Sequence, residues 1–590
     1  MSTSLPIREE FLEPLRRIVR WMASLRDADG RMICPDHGVE HTGKNVGAAV
    51  IACELLRRDP ARDERFLVDL ALGVARRACD NLVREGTSPC FTFRPGRHDP
   101  FNCSNAVIDG GAASDALAHV VVGLGSRLRP SESARFREAS RLHARTYLRY
   151  AVLDKGIPAQ RAWGLTGLAA ASSLDPDTDF EKAAIEAVGA LEGIQHGDGS
   201  FPYHPREWGA EHAGSADVSS FYQSRIPAFT LYALEKLGRD PRDALFAVPI
   251  RRALEFARVL QGPDGVKCGL VEAKPWYWGA EYEVASNPFD VFAFARGRTM
   301  YGDPALGLAA LRAFRAFAAH LEADGRPRSH LPGAGRVPSY QCPVFWAGHA
   351  LWIARALADL ESAARAPTPY EPGPDSIDVS LRWFPDANLG RLEDGRAVAW
   401  IRGARPAVNV HHGSPHGAGL VRVYGKREGR NLLERCRLGG AQEGEWNASF
   451  GGPSLARGWR GGGGELRFSL WLARVAARRG RLAQALATPP GVVRRGILAF
   501  GAPRVSSSFD LAPEVRLEGT SIVVESRLAH RDGGVVPQSR IERRFEVDGA
   551  GLVVEESLVE DGGARHVDYR VPAAASDVRR DGRRITWRLG

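Results

Sequence analysis

Up to residue 364 apolar residues recur every three or four positions; beyond residue 378 they alternate with polar ones. The first pattern is that of amphipathic helices and the second that of half-buried strands. Helices are expected over roughly 7–26, 43–58, 63–85, 104–126, 131–150, 160–173, 178–195, 227–237, 241–261, 303–323 and 342–364, with Gly, Pro and Asp closing most of them. Similar turns recur after helices: "DADGRMICPDHG" (27–38), "QHGDGSFPYHP" (195–205), "QGPDGVKCGLVEAKPWYWG" (261–279) and "EADGRPRSHLPG" (322–333). Asp opening a turn, with Gly at positive φ, makes a tight reversal. An array whose alternate connections repeat one such turn reads as five or six helical hairpins around a centre. That is an α/α toroid, closed or nearly so; an open helical solenoid is the competing arrangement.

"RAPTPYEPGPDSID" (365–378) is a Pro-rich linker. After it come "GRAVAWIRG", "GLVRVYG", "ELRFSLWLARV", "GVVRRGILAFG", "RIERRFEVDGAGLVVEESLVEDGG" and "RRITWRLG", short alternating runs split by D-G and G-G turns. They predict an antiparallel β-sandwich. The expected division is thus a toroid over 1–364, a linker over 365–378 and a sandwich over 379–590. A chain of 590 residues exceeds what one core sustains.

Composition adds little to that picture: 44% hydrophobic and 25% charged residues are ordinary for a globular chain. No run of about 18 apolar residues stands out, so no membrane span is expected. The opening "MSTSLPIREEFLEPLRRIVRWMASLRD" is charged throughout and lacks a secretory h-region, which predicts a cytoplasmic protein. The eight cysteines show no C-x-x-C pair, arguing against a disulfide framework or a thiolate zinc site. The net charge of +9 is mostly Arg spread along the chain. It suits an acidic polymer, although a codon bias toward Arg explains it equally well. Nucleic acid would fit the charge too, but no nucleic-acid motif is present. The oligomeric state is not legible.

Chemistry gathers at helix entrances. Residues 196–238 interleave Phe201, Tyr203, Trp208, Phe221 and Tyr222 with His204, Arg206, His212 and Arg225. Flat rings stack on sugars, and planar charged groups bind hydroxyls and carboxylates. His196, His204 and His212 are spaced by eight, which excludes a helical H-x-x-x-H metal site. A second loop, "WYWGAEYEVASNPFD" (276–290), offers Trp276, Trp278, Glu281 and Asn287 as substrate contacts. Glu281 and Glu283 there could also form the carboxylate pair of a glycosidase. "CPDHGVEHTGKN" (34–45) and "FNCSNAVIDGG" (101–111) supply Lys44, Asn45, Asn102, Asn105 and Asp109, which read chiefly as helix caps. "NVHHGSPHG" (409–417) concentrates His411, His412 and His416, candidates for a structural divalent metal in the sandwich; no cofactor is otherwise required.

A toroid followed by a sandwich resembles the heparinase II/III-like and alginate-lyase-like polysaccharide lyases. Those families carry Ser-x-x-Tyr-His after a D-G turn; here "SSFYQ" supplies Ser219 and Tyr222, with Gln223 at the His position. The resemblance implies an enzyme cleaving uronate-containing oligosaccharides or polysaccharides by β-elimination, with Tyr222 protonating the leaving oxygen. Where the families use Asn or His on an earlier inner helix, "IPAQRAWGLTGLAAASSL" presents Gln160 and Arg161, either of which would face the uronate carboxylate. Arg225 would supply the cation that lowers the phenol pKa. "NVHHGSPHG" looks like a shifted H-x-H-x-D cluster, so His411 or His412 would act as base or complete the charge neutralisation. Two other readings stand beside this one. One is a hydrolase or epimerase using Glu281, Glu283 or Asp290. The other is a non-catalytic glycan-binding or polysaccharide-assembly protein, which Gln223 and the missing Asn favour.

Overall fold

In the computed structural model the described residues are 7–35, 38, 40, 43–83, 90–91, 104–154, 157–203, 218–270, 283–328, 343–367, 378–404, 417–433, 443–450, 505–530 and 533–590, with Leu470, Ala473, Arg474, Ala477 and Leu486. The helices are α1 (Ile7–Ser24), α2 (Gly47–Arg58), α3 (Glu64–Asp80), α4 (Gly110–Leu124), α5 (Pro130–His143), α6 (Arg149–Asp154), α7 (Pro158–Leu174), α8 (Thr178–Ile194), α9 (Ser220–Gln223), α10 (Arg225–Lys236), α11 (Ala244–Val259), α12 (Asn287–Tyr301), α13 (Pro304–Ala319), α14 (Pro343–His349), α15 (Leu351–Arg355) and α16 (Leu357–Arg365).

Packing orders them into a ring. α2 packs on α4, α4 on α7, α7 on α10, α10 on α12, α12 on α15, and α15 back on α2. α1, α3, α5, α8, α11 and α13 alternate with these on the outside. The toroid is therefore closed, with six hairpins. Inner helices bury nearly every side, as α7 does from Pro158 to Ser172, so their sequences are apolar or small all round. Glycines set their spacing. A Cβ on Gly348 of α14 would stand 2.0 Å from the Lys44 carbonyl oxygen, and one on Gly47 of α2 only 2.1 Å from the Gly348 carbonyl oxygen. The first and last inner helices meet backbone to backbone.

α12 has no counterpart among the expected helices. "NPFDVFAFARGRTMY" is buried on most sides, so it lacks the one-sided stripe that reveals a surface helix. Val107–Arg127 is long and apolar enough to span a membrane by composition, yet 78% of that window is buried inside the ring.

The D-G repeat is structural. Gly30, Gly199, Gly265 and Gly325 each donate N–H to the carbonyl three residues back. Gly199 (φ 89°) and Gly265 (φ 80°) sit where a Cβ would lie 2.4 Å from the Arg252 carbonyl oxygen and 2.1 Å from that of Arg312. Those oxygens belong to α11 and α13, so each turn lies flat on the next outer helix, and only glycine fits.

Among the described residues the second part holds three antiparallel sheets. One runs β3 (Ser380–Phe384), β4 (Leu389–Glu393), β5 (Ala397–Arg402), β6 (Gly419–Gly425) and β7 (Arg430–Asn431), numbered after a small hairpin in the toroid, β1 (Leu82–Val83) with β2 (Cys90–Phe91). The others join β8 (Glu445–Ser449), β9 (Val505–Ser506), β12 (Ala529–His530) and β15 (His566–Arg570), and β10 (Glu514–Glu518), β11 (Ser521–Ser526), β13 (Ser539–Val547), β14 (Leu552–Asp561), β16 (Ser576–Asp581) and β17 (Arg584–Leu589). In the stretch 465–475, where alternation predicts a strand, Leu470, Ala473 and Arg474 are helical.

β5 is buried on both faces. Ala397, Ala399 and Ile401 enter the sandwich core with Ile522, Phe545 and Trp587. Val398 and Trp400 point the other way, into an apolar seam with Phe256, Val259, Leu260 and Leu270 of the toroid. Trp400 Nε1 donates to the Val259 carbonyl oxygen at 3.0 Å, and Arg422 Nη1 to that of Val266 at 2.6 Å. The sandwich thus grips the turns that lead into the inner helices, beside one mouth of the ring.

Candidate active site

The inner helices begin at that mouth, and their first turns bring the site together. α9 ends in Tyr222 and Gln223, and α10 follows with Arg225 in its first turn. Tyr222 lines a small cavity of about 60 Å³ with Gln160, Trp163, Tyr203, Phe221, Arg225 and Phe345. The Tyr203 and Tyr222 rings lie 5.3 Å apart. Beneath them the buried Arg225 guanidinium is centred 4.0 Å from the Phe221 ring, 4.6 Å from Phe289, 5.0 Å from Tyr222 and 5.5 Å from Trp163. Ring faces on several sides hold this cation by cation–π attraction.

Gln160 and Arg161 separate here. Successive residues of a helix project about 100° apart, and the cavity takes Ala159 and Gln160 but not Arg161. Gln160 lines the cavity, and its Oε1 is buried without a hydrogen-bond partner. Arg161 instead donates Nη2 to the Leu153 carbonyl oxygen at 3.1 Å, tying α7 to the end of α6. Its expected place opposite a substrate carboxylate is corrected accordingly.

Asn287 is corrected as well. It is fully buried, and Nδ2 donates to the Ala313 carbonyl oxygen at 3.1 Å, stapling α12 to α13 rather than facing a cleft. Glu283 accepts from Ser220 Oγ at 2.7 Å in a buried position. Asp290 is fully buried against Lys267 Nζ at 2.6 Å and 2.8 Å, and burial raises its carboxyl pKa despite that partner. Neither carboxylate is among the residues that line the cavity. His204, Arg206, Trp208, His212, Trp276, Trp278, Glu281, His411, His412 and His416 lie outside the described residues.

Gln223, at the motif's His position, clamps the preceding turn. It accepts from the Phe201 N–H at 2.9 Å and donates to the carbonyl oxygens of Phe201 and Ser219 at 3.0 Å and 3.1 Å. His196 is held similarly, with Nδ1 2.8 Å from Ser200 Oγ. Both shape the loop that carries Tyr203.

Some pairings in the assembly escape a sequence reading. Lys44 bonds Asp109 at 2.9 Å, both buried, and its Nζ lies 3.8 Å from the Trp163 ring centre. Asp109 therefore pairs with a cation and makes no side-chain cap to α4. His349 lies behind Phe345, 4.4 Å between rings, with Nδ1 3.0 Å from the Ala285 carbonyl oxygen. Burial first, and the nearby Arg225 and Lys44 charges next, hold its pKa well below the usual value, so the ring is neutral. "FWAGHALWIAR" gives no sign of this, because it reads as a core helix.

The fold and the cavity place the chain in a class: closed α/α toroids joined to antiparallel β-sheets. The X-ray structure of the Streptomyces coelicolor A3 chondroitin AC lyase, in complex with chondroitin sulphate, shares that fold over 98% of this chain and 71% of its own, with a TM-score of 0.52 and 12% identity. Looser matches are a cellobiose 2-epimerase from Spirochaeta thermophila DSM 6192 (TM-score 0.44, 13% identity, 61% of this chain and 99% of that one) and a family 88 glycosyl hydrolase from Bacteroides vulgatus (0.43, 14%, 60% and 99%). No protein-family model and no curated protein matches the chain.

Proposed function

We propose that this chain is a polysaccharide lyase that cleaves uronate-containing glycans by β-elimination at the sandwich-side mouth of the ring. One observation carries the reading: Tyr222, Tyr203 and Gln160 share one cavity, with the Arg225 cation packed beneath the phenol ring. A uronate's C5 proton leaves only when the adjacent carboxylate is neutralised, and an amide such as Gln160 can donate to that carboxylate as the enolate develops. Gln160 is the family's Asn replaced by a longer amide. Tyr222 then carries the proton, taking it from C5 as its phenolate and giving it to the departing oxygen as its phenol. Arg225 stabilises negative charge on the phenol, and Tyr203 offers a face for a sugar ring. Incubation with a panel of pectic, alginate and glycosaminoglycan oligomers tests the proposal. An ultraviolet absorbance rise from an unsaturated uronate on at least one substrate is expected. New reducing ends without that absorbance would mean hydrolysis.

A further inference from the structure

The ring has a second mouth, where the inner helices end. Between the two mouths stand rings packed tilted or edge to face: Trp163 lies 5.1 Å from Phe229, Phe229 5.0 Å from Trp352, and Trp352 5.0 Å from Phe292. Beyond this plug is a cavity of about 510 Å³, within the range of sites that hold small molecules. Its wall is part apolar, through Val122, Phe292 and Tyr232, and strongly cationic, through Arg57, Arg58, Arg127, Lys236, Arg296 and Arg355.

The carboxylates present do not balance those cations. Glu54 is shared by Arg57, Arg58 and His119, Arg127 pairs with Glu64, and Arg296 takes both Glu235 and Asp359. Arg355, whose side chain is 4% exposed, meets Asp115 through Nη2 and lies over the Tyr232 and Trp352 rings, 4.2 Å and 4.8 Å from their centres; Nε and Nη1 have no hydrogen-bond acceptor among the described residues. Lys236 has no ion-pair partner among the described residues and rests over the Tyr232 ring, 5.3 Å from its centre. Last-turn arginines are what helix C-termini attract in any protein. A buried guanidinium with idle N–H groups next to an unpaired ammonium is not explained that way. Burial, then the Arg355 charge, lowers the Lys236 pKa, against the opposing pull of Asp115, Glu235 and Glu54.

We propose that this cavity binds a small oxyanion-bearing molecule, of about monosaccharide size, with Lys236 and Arg58 contacting the anion and the Tyr232–Phe292 wall taking its body. The plug makes the site independent of the Tyr222 cavity. Titration calorimetry at constant ionic strength, with inorganic phosphate, sulfate, glucuronate and glucose 6-phosphate as separate probes, tests it and sorts phosphate from sulfate and carboxylate sources. Saturable one-site binding of at least one probe is expected. It should weaken about tenfold or more in Lys236→Met and in Arg58→Gln, each the loss of a charge-assisted contact, and stay unchanged in Tyr222→Phe. Both side chains are half-buried; Arg58→Gln also loses the Glu54 contact, and both variants spare the Arg355–Asp115 pair. No saturable binding of any probe, or equal binding by both variants, would overturn the proposal. Loss in Tyr222→Phe alone would move the anion to the other mouth and overturn it equally.

Discussion

His320 shows what a single buried group does to the pH response. It closes α13, stacks on Trp346 at 5.2 Å, and its Nε2 lies 2.6 Å from the Arg328 carbonyl oxygen. Burial lowers its pKa from 6.5 to about 4, outweighing that hydrogen bond. The folded state keeps the ring neutral while the unfolded chain protonates first. Its contribution is therefore full above pH 6.5 and lost as pH falls toward 4. The loss amounts to about 2–3 kcal/mol. Urea unfolding at pH 7 and pH 4.5 should show a smaller acid loss in His320→Gln than in the parent. Equal losses would show that another group governs this window. At the same scale, Gln223 and Asn287 are side chains whose hydrogen bonds define the site's walls without entering it. Sequence types alone do not separate such residues from contacts, because an amide serves a backbone clamp and a sugar equally well.

Among the elements, the inner helices explain both what was legible and what was not. Outer helices such as α1 and α3 show a clear stripe, and the D-G turns repeat visibly, so hairpins around a centre follow from the pattern. α12 is missed because burial on most sides erases its periodicity. The pairing of Lys44 with Asp109 and the packing of His349 behind Phe345 are missed for a different reason: these residues lie far apart in the chain and meet only when the ring closes. Gly348 controls that closure. Gly348→Ala would drive a Cβ against backbone and should cost more than about 2 kcal/mol. Gly189→Ala, on exposed α8 with nothing within 4 Å, should instead stabilise by about 1 kcal/mol. Thermal melts of the two variants that moved in the same direction would contradict this account of the ring.

Across the whole molecule, the sandwich and the toroid share an apolar seam centred on Trp400, which is fully buried. Trp400→Ala removes that ring and its bond to Val259, a loss of about 3–5 kcal/mol. Calorimetry should then resolve two transitions; one unshifted transition would mean that the seam contributes nothing. The seam holds the sandwich over the mouth where Tyr222 lies, which is why the elimination proposal depends on the full chain. Its most direct test is Tyr222→Phe, checked by circular dichroism for an intact fold and assayed on whichever uronate substrate the parent cleaves. The account predicts that the unsaturated-uronate absorbance slows by about 10²–10⁴, the contribution of one positioned proton-transfer group. A Phe variant that matches the parent rate would contradict it.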